Sequence, residues 1–331
     1  MTTQLLELLA SGQDLDATQA HALMAHILDE STPEPLIAGT LAALRTKGEA
    51  GEELLGITLA LLDVARTLND VPAGAVDTCG TGGDRSGTFN ISTAAALLVA
   101  SLGVPVMKHG NRSVTSRSGS ADVIEALGVP FTEPEASVGK FAFLFAPQFH
   151  PALKRIGPIR RALGIRTVFN LVGPLANPAR PDFQLVGVAV RERLPDVARA
   201  LQGLGRKRAF VVHGEPGLDE ATPVDRFTVV DVQSDSITAA DFTAADFGIA
   251  PCELSDLQGG SADDNARIIE NVLTGRTGPK RDVVVLNAAL TLLLIGKAKS
   301  PVQAAEFAAD AIDSGATARL LEELRRSSVH A

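Results

Sequence analysis

Three short stretches carry the residues best suited to chemistry. The first is Ala75-Val76-Asp77-Thr78-Cys79-Gly80-Thr81-Gly82-Gly83-Asp84, which reads as a strand end running into a tight loop. Asn90-Ile91-Ser92-Thr93 then opens an alanine-rich helix, with Ser92 or Thr93 as its cap. Glycines let a backbone approach a ligand closely, and a helix start offers free N–H groups, so the pair makes a phosphate cradle. The glycines alone suit a plain strand-to-helix turn equally well. No Gly-Lys-Ser/Thr follows, which excludes a P-loop, and Gly80, Gly82 and Gly87 do not fit the spacing of the dinucleotide fingerprint.

The second stretch, Val106-Met107-Lys108-His109-Gly110-Asn111-Arg112, is a strand end entering a basic loop. Ser113, Thr115, Ser116, Ser118 and Ser120 follow, interleaved with Arg112 and Arg117. Hydroxyl, guanidinium and ammonium groups are good phosphate donors, although a solvated serine-rich loop has the same composition. The third is Asp219-Glu220, after the strand end Val211-Val212-His213-Gly214. Adjacent carboxylates there suit Mg²⁺, a hard cation that prefers oxygen ligands. As a bare dipeptide they fit a solvated loop better than a metal site.

Charge placement sharpens this. The chain has 331 residues, a net charge of -9 and 21% charged residues, yet residues 85–121 and 136–181 contain no Asp or Glu. Those segments carry Arg85, Lys108, Arg112, Arg117, Lys140, Lys154, Arg155, Arg160, Arg161, Arg166 and Arg180. A cationic cleft concentrates an anionic substrate even on an acidic protein, so a pocket for a small polyanion is expected. The overall charge, with 4% aromatic residues and no Trp or Tyr, argues against a general grip on nucleic acid or an anionic membrane. Two cysteines, Cys79 and Cys252, exclude a disulfide framework and a cysteine-built zinc site and suit a reducing cytoplasm. The N-terminus lacks the pattern of a targeting peptide, and the apolar stretch 94–107 is broken by Ser101, Gly103 and Pro105. It is shorter than the roughly 20 residues a membrane span needs.

The elements that must position these residues fall into two blocks. Residues 1–68 read as helical: Leu5, Leu6, Leu8 and Leu9, then Ala20, Leu23, Met24, Ile27 and Leu28, repeat at helical spacing. Thr32-Pro33-Glu34 marks a helix start, Lys47-Gly48 a stop, and a further helix is expected over 52–68. Beyond Pro72, short apolar runs alternate with glycine-rich turns and helices. Strands are expected at 104–107, 141–145, 185–190 and 210–212, with helices at 93–102 and 121–127 and a buried helix at 283–295. That alternation is the mark of an α/β fold with a mostly parallel central sheet.

Taken in order, the motifs resemble the anthranilate phosphoribosyltransferases, enzymes of tryptophan biosynthesis. The resemblance spans nearly the whole chain. It rests on residues 77–84, 90–93 and 108–114, on Phe149-His150-Pro151-Ala152, on residues 166–175 and on Gly217-Leu218-Asp219-Glu220. It implies a small N-terminal helical domain (1–68, joined by part of 145–180) beside a large α/β domain (69–331), with the site between them. It also implies a homodimer formed largely through the helical domain. The implied reaction joins anthranilate to phosphoribosyl pyrophosphate (PRPP) and releases pyrophosphate, with Mg²⁺ as cofactor.

By the same resemblance, Gly80, Gly83, Asp84, Thr88, Asn90, Ile91, Ser92 and Thr93 hold PRPP, with Lys108, Asn111, Arg112, Ser113, Ser116 and Ser120 completing its site. Ser92, Asp219 and Glu220 bind metal. Gly80, His109, Asn111, His150, Arg160 and Gly173 take anthranilate, with Arg160 on its carboxylate. No residue is assigned as acid or base. Two departures stand out: Arg85 replaces a residue that is usually small, and the 131–141 connection is short. Three other readings remain: a pyrimidine nucleoside phosphorylase, a transferase for another aromatic amine, and a nucleic-acid-binding relative without activity.

Overall fold

The computed structural model describes residues 2–68, 70–113, 118–131 and 140–327. Ser116 and most of the 131–141 connection therefore lie outside the described residues.

The N-terminal periodicity folds into α1 (Thr2–Ala10), α2 (Ala17–Leu28), α3 (Glu34–Lys47) and α4 (Gly51–Asp63). Asp16 starts α2: its carboxylate accepts from the Gln19 N–H at 2.8 Å, and the Gln19 side chain accepts from the Asp16 N–H at 3.1 Å. At α3 the expected cap is displaced. Pro33 itself occupies the cap position, while the Thr32 hydroxyl donates to the His26 carbonyl and closes α2 instead. The following helix ends at Asp63, short of the expected residue 68. Leu23, Met24, Ile27, Ile37, Leu41, Leu44, Leu54, Ile57 and Leu61 are buried in one core.

The rest of the chain forms β1 (Val76–Gly80), α5 (Ile91–Ser101), β2 (Val106–Gly110), α6 (Ser120–Ala126), β3 (Phe141–Phe145) and α7 (Ala146–Phe149). Next come α8 (Ile156–Leu163), α9 (Phe169–Leu175), β4 (Phe183–Gly187), α10 (Leu194–Gly203), β5 (Arg208–Gly214), β6 (Phe227–Val232) and β7 (Ile237–Phe242). The chain closes with α11 (Ala262–Leu273), α12 (Pro279–Leu294), α13 (Pro301–Asp313) and α14 (Ala316–Ser327). The sheet order is β3-β2-β1-β4-β5-β6-β7; β3 to β5 run parallel, and β6 and β7 are antiparallel. The fold is α/β, as the alternation of elements predicts.

Parallel strands are buried on both faces, so their sequences read as continuous apolar runs. Leu185, Phe210 and Val212 face the core shared with α5 and α12, whereas Val186, Ala209 and Val211 face the core of the helical layer. Ile156, Ile159, Leu171, Val172 and Leu175 pack into that second core too. Among the described residues no helix is long and apolar enough to cross a membrane.

The strand order fixes where a ligand can sit. From β1 the chain passes to β2 on one side, while β4 lies on the other. In open α/β sheets the crevice at such a reversal, beyond the carboxyl ends of the strands, is the usual binding place. Here those ends are Gly80 and Gly187.

Candidate active site

Gly80 and Gly187 are adjacent in the β1–β4 register, and the Asp219-Glu220 segment lies across them. A Cβ on Gly80 would stand 2.1 Å from Asp219 Oδ2, and one on Gly187 would stand 1.6 Å from the Asp219 carbonyl oxygen. The absence of side chains at these strand ends is what lets a carboxylate loop reach the glycine-rich loop. Gly80→Ala should therefore displace Asp219 and weaken Mg²⁺-dependent activity by at least tenfold while the protein stays folded. A Mg²⁺ titration of the rate, with circular dichroism as control, checks this.

The carboxylates of Asp84, Asp219 and Glu220 converge, each offering an oxygen within 4.8 Å of the others. Asp219 Oδ2 accepts from the Gly82 N–H at 2.6 Å. Asp84 Oδ2 and Glu220 Oε2 are buried with no hydrogen-bond partner among the described residues. Burial, then the nearby Asp84 charge, holds the Asp219 carboxyl up to about 6. Burial and the Asp219 charge push Glu220 well above its ordinary range. Unpartnered buried carboxylate oxygens at mutual coordination distance fit a hard divalent cation. Sequence reasoning placed Asp219 and Glu220 here but treated Asp84 only as a phosphate contact.

Lys108 is 1% exposed. Its Nζ donates to the Thr78 carbonyl at 2.5 Å and lies 3.4 Å from Ser92 Oγ, so the end of β2 delivers a cation to the start of α5. Burial lowers its pKa, and the charge of Asp77 opposes the shift. Helix α5 begins at Ile91 with Asn90 as cap residue. Ser92 and Thr93 thus sit inside the first turn rather than capping it. That frees the Ser92 hydroxyl for the site and leaves Thr93 Oγ1 buried with no partner among the described residues.

The loop itself turns through left-handed residues: φ is 64° at Gly82, 73° at Gly83 and 59° at Arg85. Arg85 is exposed and holds a conformation a side chain resists, which accounts physically for a small residue suiting that place. Arg166 braces the loop from the second acid-free segment, donating to the Gly82 carbonyl at 2.8 Å. Thr88 forms a bridge with Gln258. Asn90 Oδ1 accepts from Asn265 Nδ2 at 2.9 Å, and Asn265 also donates to Ser118 Oγ at 2.8 Å. Arg166 and Asn265 were not among the expected site residues. Arg166 had a signal in its acid-free surroundings, whereas no sequence motif marks Asn265.

Across the mouth, Asn111 and Ser113 border α6. Ser120 Oγ donates to the Asn111 carbonyl at 3.4 Å, and the Ser113 N–H donates to Asp122 at 3.2 Å. Arg112 pairs with Asp122 and Glu125, each at 2.8 Å, which raises its pKa further.

The other wall is aromatic. His109 and His150 lie edge to face with centroids 5.4 Å apart. His109 Nδ1 is 3.2 Å from the Gly173 carbonyl and His150 Nε2 is 2.8 Å from that of Ala176, so each of these nitrogens carries the proton. The opposite nitrogens, His109 Nε2 and His150 Nδ1, are buried without partners among the described residues. Burial, then the neighbouring His150, pulls the His109 pKa down to about 3. His109 should therefore stay neutral from pH 5 to 9; an imidazole NMR titration with a midpoint near 6.5 would contradict this. Arg160 lies 5.2 Å over the Phe169 ring, one helical turn from Gly173 on α9. It is half-buried, makes no ion pair among the described residues, and has its pKa lowered by burial alone.

Two family descriptions cover the chain: the helical bundle domain of a glycosyl transferase family matches residues 3–65, and its a/b domain matches residues 73–318. A curated relative from Syntrophomonas wolfei, anthranilate phosphoribosyltransferase, is 44% identical over 330 residues, covering 98% of this chain and 97% of the relative. The crystal structure of the Thermus thermophilus anthranilate phosphoribosyltransferase superposes with a TM-score of 0.91 at 37% identity, covering 98% of each chain. The Saccharomyces cerevisiae protein in complex with PRPP and Mg gives 0.90 at 29% identity, covering 100% of this chain and 98% of that one. The glycine-rich loop, the converging carboxylates and the histidine wall thus occur on a fold matched end to end, and the chain belongs to the anthranilate phosphoribosyltransferase family.

Proposed function

We propose that this enzyme transfers the phosphoribosyl group of PRPP to the amine of anthranilate at the β1–β4 crevice. The observation that carries this reading is the meeting of three converging carboxylates, a glycine-rich loop and Lys108 on one side with two neutral histidines and an Arg160 that has no ion pair among the described residues on the other. One half suits a polyanion with its metal; the other suits a planar aromatic acid. The carboxylates of Asp84, Asp219 and Glu220, with the Ser92 hydroxyl, are the groups that would hold Mg²⁺. When bound, Mg²⁺ supplies charge neutralisation for the departing pyrophosphate.

In the reaction the anthranilate nitrogen forms a bond to ribose C1, the bond from C1 to the pyrophosphate oxygen breaks, and the amine gives up one proton. Positive charge grows on the sugar and negative charge on the leaving group, so positioning and electrostatics dominate. The loop N–H groups, Gly80, Gly83, Thr88, Asn90, Ile91, Ser92 and Thr93 hold the phosphoribosyl end. Lys108, Asn111, Arg112, Ser113 and Ser120 complete it, for which Arg112 must leave its carboxylate partners at least in part. Gly80, Gly173, His109, His150 and Asn111 line the acceptor, and Arg160 pairs with its carboxylate. His109 Nε2, neutral and unprotonated, is suited to accept a hydrogen bond from the amine rather than to hold a full proton.

The family resemblance also supports a homodimer formed through the helical domain, a cytoplasmic location, and division into units 1–68 (with part of 145–180) and 69–331. Supplying PRPP with a panel of aromatic amines, and separately phosphate with pyrimidine nucleosides, tests the reading. Pyrophosphate released with anthranilate alone supports it; phosphorolysis of nucleosides contradicts it.

A further inference from the structure

Beneath the crevice lies a buried polar network that reaches the backbone at the ends of β2 and α9. Asp77 on β1 and Gln184 on β4 are partners in the strand register, and both are fully buried. Asp77 Oδ1 accepts from the His109 N–H at 3.2 Å, and Oδ2 accepts from Asn177 Nδ2 at 2.8 Å and Gln184 Nε2 at 3.4 Å. Gln184 Nε2 also donates to the Pro174 carbonyl at 3.0 Å. Gln184 Oε1 accepts from Arg206 Nε at 2.7 Å, and Arg206, 8% exposed, reaches the Leu175 carbonyl at 3.4 Å. Asn177 donates a second hydrogen to the Met107 carbonyl at 2.8 Å.

The contacts sort into two sets. One set, on Met107 and His109, fixes the end of β2. The other, on Pro174 and Leu175, fixes the end of α9, whose Gly173 carbonyl accepts from His109 Nδ1. We infer that the Asp77–Gln184–Arg206 network, with Asn177, positions the β2 and α9 walls against each other and so sets the width of the acceptor half of the site. Gln184 and Arg206 are positioning residues, since they act through His109 and Gly173. The metal carboxylates and the glycine-rich loop hang on other contacts, those of Gly82 and Arg166. Loss of the network should therefore be felt by the aromatic acceptor more than by PRPP. This inference deepens the proposed function and rests on it.

The test is a separation of substrate constants. Gln184→Leu keeps the side-chain volume but removes both the donor to Pro174 and the acceptor for Arg206. It should raise KM for anthranilate about tenfold while Kd for PRPP with Mg²⁺, measured by calorimetry on the same protein, changes less than twofold. Arg206→Lys keeps the buried charge, so it should fold even if Gln184→Leu does not, and should show the same split at about threefold. Equal weakening of both substrates in the soluble, folded variants would make the network a general stabiliser and overturn the inference. Unchanged anthranilate kinetics would overturn it as well. A native enzyme that binds PRPP yet turns over no anthranilate would instead remove the functional reading on which it stands.

Discussion

Replacing Asp219 by Asn together with Glu220 by Gln should lower turnover by roughly 10²–10³-fold, and without metal the variant should melt higher than the native protein. Both effects have the same cause. The two carboxylates and Asp84 are forced together at the strand ends, and Asp84 Oδ2 and Glu220 Oε2 lack partners among the described residues. Asn at position 219 keeps an oxygen for the Gly82 N–H and removes a charge that burial disfavours. Holding the Asp219 carboxyl above its ordinary range, by burial first and the Asp84 charge second, costs the native state stability at neutral pH.

The sign can be followed with pH. Below about 3.8, Asp219 is protonated in both states and imposes no cost. As pH rises through about 6 the native carboxyl must give up a proton that the unfolded chain released earlier, so native stability falls relative to the variant. The melting-temperature gap between variant and native protein should thus be small near pH 4 and full by pH 7. Millimolar Mg²⁺ should close it at pH 7 by stabilising only the native protein. A variant less stable than the native metal-free protein at pH 7 would contradict this description of the carboxylate cluster.

The second large effect is expected at Arg160. Its guanidinium has an aromatic face below it and no carboxylate among the described residues. A charge-assisted hydrogen bond is worth about 1.5–3 kcal/mol, so Arg160→Ala should raise KM for anthranilate roughly 10–100-fold. PRPP binding should hardly change, because the guanidinium stands on the acceptor wall. Arg160→Lys should recover only part of the loss, since an ammonium cannot make the paired contacts of the planar fork. Anthranilate kinetics unchanged in Arg160→Ala would place the carboxylate elsewhere.

Much of this was legible in the chain before any coordinates. Gly80 to Asp84 suggested a close backbone approach because that chemistry is written in consecutive residues, whereas Asp219-Glu220 pointed to a cation only in company with the other motifs. The parallel strands were legible because burial on both faces leaves apolar runs such as Phe141–Phe145. The antiparallel strand Ile237–Phe242 was not: it is largely exposed and shows no alternation of apolar and polar residues. Nor was the company kept by Asp77, Asn177, Gln184 and Arg206, which strand register and α9 bring together from across more than a hundred positions. Asp84 met Asp219 and Glu220 for a similar reason, since only the fold carries the 219–220 segment over Gly80 and Gly187.

Transfer from PRPP to anthranilate is best tested by fluorescence, because a chain without Trp or Tyr is nearly dark under the excitation used for anthranilate. The protein with PRPP and Mg²⁺ should extinguish anthranilate emission, release one pyrophosphate for each anthranilate consumed, and stop when EDTA is added. Folded protein that leaves the emission unchanged with both substrates intact, or that consumes anthranilate without releasing pyrophosphate, would contradict the assignment.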